Sequence, residues 1–151
     1  MKWRSVLVII IVFISSVTAF AQESVLSNLS ELKGVSTVYI SKSMLSTMKG
    51  RSFNNLNIGN IAGKLNNLEI LNIDNNSSVR RARIQLKTLN KDKSLEVIMK
   101  MKDDDDMTTI YGERKGGNYT KVVMVVDEGD EITIINMSGQ IKLDQISNLT
   151  R

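Results

Sequence analysis

The sequence contains no cysteine and no histidine. Without these residues the chain cannot form a disulfide, a thiol nucleophile or a Ser-His-Asp triad. It also lacks the side chains that common zinc sites use, and it has no N-terminal cysteine to carry a lipid. These absences exclude the commonest forms of nucleophilic and zinc-assisted catalysis, and we predict neither a metal nor a cofactor.

Proline is absent as well, and no low-complexity tract or linker interrupts the chain of 151 residues. One domain is therefore predicted for residues 22–151, long enough to bury roughly two thirds of its unfolded surface without a covalent staple. Charge of either sign is not in large excess, because removal of Lys2 and Arg4 with an N-terminal segment leaves 18 basic and 16 acidic residues. Such a small excess argues against a nucleic-acid partner.

The first 21 residues have the three parts of a signal peptide. Lys2 and Arg4 form a positive region, Val6–Ile14 is an unbroken apolar run, and Ala19–Ala21 supplies the small-x-small cleavage pattern. The alternative is a membrane anchor of about 20 apolar residues, but polar residues interrupt the end of this run (Ser15, Ser16 and Thr18). We therefore predict cleavage after Ala21, no stable membrane span afterwards, and a periplasmic or secreted protein.

The longest structural signal runs from Leu95 to Ile141. In residues 95–102 every second residue is apolar (Leu95, Val97, Met99 and Met101), and they alternate with Glu96, Ile98, Lys100 and Lys102, as in a strand with one buried face. The four carboxylates of Asp103–Asp106 favour a solvated turn, whereas Lys121–Asp127 is apolar on both faces and is typical of a central strand. Gly129 suits a final hairpin turn. The pattern predicts a four-strand antiparallel meander.

Shorter periodic segments precede and follow this meander. They predict, in order, a helix at 24–32, a strand at 35–40, a helix capped by Ser41 or Ser43, a helix at 58–65, a strand at 68–73, a helix at 79–89, and a last helix at 143–149 after the meander. Because most strands gather toward one end of the chain, we expect an α+β fold with helices packed on a largely antiparallel sheet.

Three segments together resemble a known family: Gly34–Leu45 (GVSTVYISKSML), Leu95–Tyr111 (LEVIMKMKDDDDMTTIY) and Val122–Ile135 (VVMVVDEGDEITII). They are similar to small exported bacterial proteins grouped as domain of unknown function 4252, over about residues 24–149. The resemblance implies an α+β envelope protein and brings no catalytic residues with it. Members are sometimes encoded near extracytoplasmic sigma factors, which implies a link to envelope signalling.

Two catalytic or metal-binding alternatives come from local motifs. Ser46 and Lys49 match the S-x-x-K pattern of Ser-Lys hydrolases, although Ser30 and Lys33 match it too and the accompanying S-D-N and K-T-G elements are missing. Asp103–Asp106 could serve a Ca²⁺-binding module, but the four are contiguous and lack the alternate spacing and glycine of a calcium loop. A solvated hairpin tip explains them more simply.

The sequence favours a non-catalytic binding or signalling-accessory module. Arg80, Arg83 and Lys87 share one stripe of the 79–89 helix and are the candidate surface for an envelope protein or another anionic macromolecule. An ordinary solvated helix face is the alternative interpretation of this stripe. If helices cover one side of the sheet only, its second face or an edge strand remains for a partner. Ile98, Ile110 and Ile135 either lie on that face or belong to a core that needs no partner. The oligomeric state stays open.

Overall fold

The computed structural model describes residues 20–52 and 57–149. Within these ranges the α-helices are α1 (Phe20–Ser30), α2 (Lys42–Thr47), α3 (Asn76–Leu86) and α4 (Leu143–Ser147). The strands are β1 (Val35–Ser41), β2 (Leu65–Ile73), β3 (Glu96–Asp103), β4 (Asp106–Lys115), β5 (Asn118–Asp127) and β6 (Ile132–Ile141). Short 3-10 segments lie at Ala62–Lys64 and Lys87–Lys91. The positive and apolar regions predicted for a signal peptide lie outside the described residues.

The six strands form one antiparallel sheet in the order β1-β2-β6-β5-β4-β3. Strands β3 to β6 pair consecutively, which confirms the predicted meander, and β2 then joins the free side of β6. Strand β5 contains the segment that is apolar on both faces, and it lies between β4 and β6 as that pattern predicts. Strands β1 and β3 are the two edges of the sheet.

Helices cover both faces of this sheet. Under α1 and α3 (the α1–α3 face) the core includes Leu29, Leu71, Val79, Val123, Ile132 and Ile134. Under α2, the first 3-10 segment and α4 (the α2–α4 face) it includes Leu45, Leu65, Leu68, Val122, Met137 and Ile146. Of the two interpretations of Ile98, Ile110 and Ile135, the structure supports the core. Ile110 and Ile135 are buried on the α2–α4 face and Ile98 packs against the same core, so this face is not left open for a partner.

The predicted helix at 58–65 is also wrong. Its apolar residues are buried as expected, but only Ala62–Lys64 form a 3-10 turn, and Leu65 already belongs to β2. Two glycines explain the difference, because each weakens a helix by about 1 kcal/mol relative to alanine. Gly59 also lies against backbone, since a Cβ on it would come within 2.7 Å of the Arg51 nitrogen.

Side chains cap the first turns of two helices, α2 and α3. Ser41, one of the two serines predicted to cap α2, accepts a hydrogen bond from the Met44 nitrogen at 3.4 Å. Asn75 caps α3 by accepting from the nitrogens of Ser77 and Ser78. Each bond satisfies an N–H group that the first helical turn leaves unpaired, so α3 has a fixed start beside the sheet.

Candidate binding surface

Helix α3 carries the predicted basic stripe, and the structure divides that stripe into two parts. Arg83 binds the sheet: its Nε donates to Asp127 Oδ2 and its Nη2 to Asp127 Oδ1, both at 2.7 Å. The same Nη2 also donates to the carbonyl of Gly129. Arg83 therefore ties α3 to the turn between β5 and β6, and its charge is used within the protein.

The electrostatics of this pair agree with its geometry. The two hydrogen bonds from Arg83 hold the pKa of the Asp127 carboxyl below its ordinary value, because they stabilise the charged carboxylate. The hydrogen bond to Asp127 likewise raises the pKa of Arg83. A planar guanidinium matched to a carboxylate in this way also fixes direction, so the pair sets how α3 lies on the sheet.

The other two cations of the stripe, Arg80 and Lys87, point to solvent, and so does Arg81 beside them. Arg80, Arg81 and Lys87 are exposed, and none of them has an ion-pair partner among the residues that the structure describes. Between them lies Ile84, whose side chain is 68% exposed. We call these four residues the α3 outer face; Lys87 is the first residue of the 3-10 segment that directly continues α3. It is an apolar side chain surrounded by positive charge on a helix whose inner side is buried.

Sequence analysis missed Ile84, although a signal for it was present. The buried residues of α3 recur as Val79, Ala82 and Leu86, and Ile84 does not fall on that stripe. It follows Arg80 by four positions and precedes Lys87 by three, so helical geometry places it with the cations. An apolar residue on the polar side of an amphipathic helix marks a candidate contact.

The structure does not bring Ser46 and Lys49 together as a catalytic pair. The Ser46 hydroxyl donates to the Ser43 carbonyl at 2.6 Å, and Lys49 lies beyond the end of α2. The Lys49 side chain instead lies over Gly63, with its Cε 2.9 Å from where a Cβ would stand. Within the described chain no hydrogen bond links the two side chains, so this motif has no geometric support.

The acidic segment forms the tip of the β3–β4 hairpin. Asp103 pairs with Asp106 across the two strands, and Asp104 takes a φ of 50° in the two-residue loop between them. All four carboxylates are exposed. Nowhere in residues 20–52 and 57–149 do three or more acidic side chains cluster as a metal site would require. The position agrees with a solvated hairpin tip.

A polar cleft lies between α1 and the neighbouring residues of β1, β2, β5 and β6 on the same sheet face. It encloses about 400 Å³ and is lined by Ser27, Ser30, Tyr39, Glu69, Lys121 and Asn136, among others. Asn136 Oδ1 is buried there and accepts no hydrogen bond within the described residues. At the base of the cleft, Ser138 donates to Asn67 at 2.9 Å. The cleft can hold a small polar molecule, and no sequence motif announced it.

Comparison with protein families identifies the fold unit. The family described as Domain of unknown function (DUF4252) matches residues 29–149. The chain belongs to this family. The DUF4252 domain thus spans the end of α1, all six strands and α4, and the resemblance inferred from three segments is confirmed. No curated protein and no solved structure gives a significant match. Among the described helices of this DUF4252 protein, none has both the length and the hydropathy for a membrane crossing.

Proposed function

We propose that this DUF4252 protein is an exported, non-catalytic binding or signalling-accessory module of the bacterial envelope. In this proposal the α3 outer face binds an acidic protein or another anionic macromolecule. One observation carries it: among residues 25–52 and 57–149, Ile84 is the most exposed large apolar residue, and Arg80, Arg81 and Lys87 surround it. This proposal retains Arg80 and Lys87 of the predicted stripe and gives Arg83 a structural role.

The contacts of α3 with the sheet hold its outer face in a fixed position. Val79, Ala82 and Leu86 are buried against the sheet, Asn75 caps the first turn, and Arg83 holds the second half of the helix. A side chain on such a helix loses little additional freedom when a partner binds. Ile84 would supply desolvated contact area, and the surrounding cations would steer an acidic partner and disfavour a basic one.

Charge reversal on the outer face tests the proposal. In Arg80→Glu/Lys87→Glu, we expect recovery of the partner from native envelope fractions to fall at least tenfold at low salt, because attraction becomes repulsion. Both residues are exposed, so the melting temperature should stay within a few degrees of the wild-type value. A photo-crosslinking amino acid at Ile84 reports the contact, and quantitative mass spectrometry of the adducts measures the loss.

The matched control is Lys100→Glu/Lys102→Glu, which makes the same change in net charge on exposed residues of β3. It should leave the adducts at Ile84 unchanged. Equal recovery by both double variants would show that the α3 outer face is only a solvated helix face. Turnover of a cell-wall or ester substrate by the purified wild-type protein would instead contradict the non-catalytic proposal.

Export is the second part of the proposal, supported by the charge and apolar pattern before Ala21. Cleavage there leaves Gln22 as the first residue and retains the buried Leu26 and Leu29 of α1. We expect an intact mass that begins at Gln22 for protein recovered from the periplasmic fraction. A chain that keeps Trp3, or that stays with membranes through a carbonate wash, would contradict it.

A further inference from the structure

The two edge strands of the sheet differ in how they are protected from pairing. Strand β3 has a bulge between Val97 and Met99, and it carries exposed Lys100 and Lys102 on the way to the acidic hairpin tip. Bulges and charges of this kind keep an edge from pairing with another strand. Strand β1 has neither. Its seven residues, VSTVYIS, contain no charge, and they pair with β2 without a register shift.

Exposed apolar side chains accompany this unprotected edge. Val38, Tyr39 and Met44 are 40%, 64% and 57% exposed. Val38 and Met44 border a groove of about 610 Å³ between β1 and α2, together with Ile40 and Met48. Tyr39 lies on the opposite face of the sheet, because successive strand residues alternate. Both sides of the edge therefore offer apolar surface next to unpaired backbone groups.

We propose that β1 pairs with β1 of a second copy of this chain, antiparallel and about a two-fold axis at Val38. The sequence of the strand suits this arrangement. With Val38 opposite its own copy, Thr37 faces Tyr39, Ser36 faces Ile40 and Val35 faces Ser41, and no two like charges meet. Aromatic and β-branched residues in cross-strand pairs stabilise a sheet. The result is one continuous sheet of twelve strands, with the closed symmetry usual for homodimers.

The same register brings together the exposed groups near the edge. On the α2–α4 face, Val38 and Met44 of the two copies form a continuous apolar strip. At each end of the strand pair, Lys42 of one copy stands opposite Gly34 of the other, where Asp74 places a carboxylate oxygen 3.7 Å from the position of a Gly34 Cβ. Lys33 lies nearby, so charges of both signs meet there. This pairing favours a second copy of the chain over an unrelated peptide, because the same strand sequence provides both residues of each cross-strand pair.

A single introduced cysteine tests the register. The chain has no cysteine, so Val38→Cys places one thiol per copy, and the proposed axis brings the two Cα atoms about 4.5–5.5 Å apart. Disulfides span Cα distances of about 4.4–6.8 Å. Mild oxidation should convert most of the protein to a covalent dimer. Val97→Cys is the matched control, because it changes the same residue type on the other edge and should crosslink at least tenfold more slowly.

Charged substitutions at Val38, studied singly and as a mixture, provide a second, independent measurement. Sedimentation velocity across a concentration series that reaches several hundred micromolar should show a reversible monomer–dimer equilibrium for the wild-type protein. Val38→Lys should shift the midpoint at least tenfold toward monomer, and Val38→Glu likewise. An equimolar mixture of the two variants should restore the dimer, because the introduced ammonium and carboxylate groups then face each other across the axis.

Three results would overturn the proposal. The wild-type protein could remain monomeric up to several hundred micromolar, or Val38→Lys could leave a dimer intact and so place its interface elsewhere. In cells, Val38→Cys could join a different protein instead of a second copy, which would assign the edge to that partner. Circular dichroism confirms that each variant is folded. The experiment is independent of the α3 outer face, so its failure would leave that part of the proposed function standing.

Discussion

Val123→Asp should unfold the domain. Val123 lies in the centre of β5, and none of its side chain is exposed. The Asp carboxylate would be buried between Tyr111 and Asn136, its neighbours on β4 and β6, beside the apolar core of the α1–α3 face. In the part of the chain that the structure describes, no charged side chain is buried that could pair with it. An unpaired buried charge costs several kcal/mol, a large part of the roughly 5–15 kcal/mol that stabilises a domain. Far-ultraviolet circular dichroism and urea unfolding would measure the loss.

Val97→Asp is the matched control for this substitution. Val97 pairs with Tyr111, which pairs with Val123, so both valines lie in the same row across the same sheet face. Val97 is 53% exposed at the β3 edge, and its carboxylate would remain hydrated. We expect a change within about 1 kcal/mol there. If Val123→Asp proves as stable as Val97→Asp, β5 is not the covered central strand described here.

The meander could be predicted because its information is local. Alternation in residues 95–102 requires only neighbouring residues, and each hairpin turn lies between the two strands it joins. The double-sided apolar character of β5 even predicted its central place, since only a strand covered above and below tolerates it. The pairing of β2 with β6 is different. It joins strands more than fifty residues apart, and no local pattern distinguishes β6 from the other strands as a partner.

The cover on the α2–α4 face was missed for a related reason. Helices α2 and α4 have six and five residues, too short for a clear amphipathic stripe, and the segment at 62–64 is only one 3-10 turn. Each buries one side chain of its own, which is Leu45 in α2, Ala62 in the 3-10 turn and Ile146 in α4. Together they close the sheet face that was expected to remain for a partner if helices covered only one side. Short helices have too few residues to show a clear periodicity in the sequence, but they still cover apolar surface of the sheet.

Sequence could likewise predict only part of the charge distribution on the α3 outer face. A helical projection places Arg80, Arg83 and Lys87 on one stripe, and that part of the prediction follows from the 3.6-residue period. It cannot show that Asp127, 44 residues away in sequence, takes up the charge of Arg83. Nor does the stripe alone indicate that Ile84 has no covering element. Both facts arise from how β5 and α3 meet.

The second large effect is expected at Gly139 in β6. Gly139 faces Leu65 at the first residue of β2, where the pairing of the two strands is irregular. A Cβ on Gly139 would stand 2.3 Å from the Lys64 carbonyl oxygen and 2.8 Å from the Leu65 Cα. Real Cβ atoms do not come so close, and backbone atoms cannot rotate away as a side chain can. Gly139→Ala must therefore push β2 away from β6.

Overpacking of this kind costs about 1–3 kcal/mol, and more where the backbone cannot yield. We expect a loss of about 3 kcal/mol for Gly139→Ala and a melting temperature lower by about 10 °C. Gly117→Ala is the control, because a Cβ at Gly117 meets no atom within 4 Å. It should change stability by no more than about 0.5 kcal/mol. Calorimetry of both variants checks the difference, and equal melting temperatures would mean that β2 and β6 do not approach each other at Gly139 as closely as the structure places them.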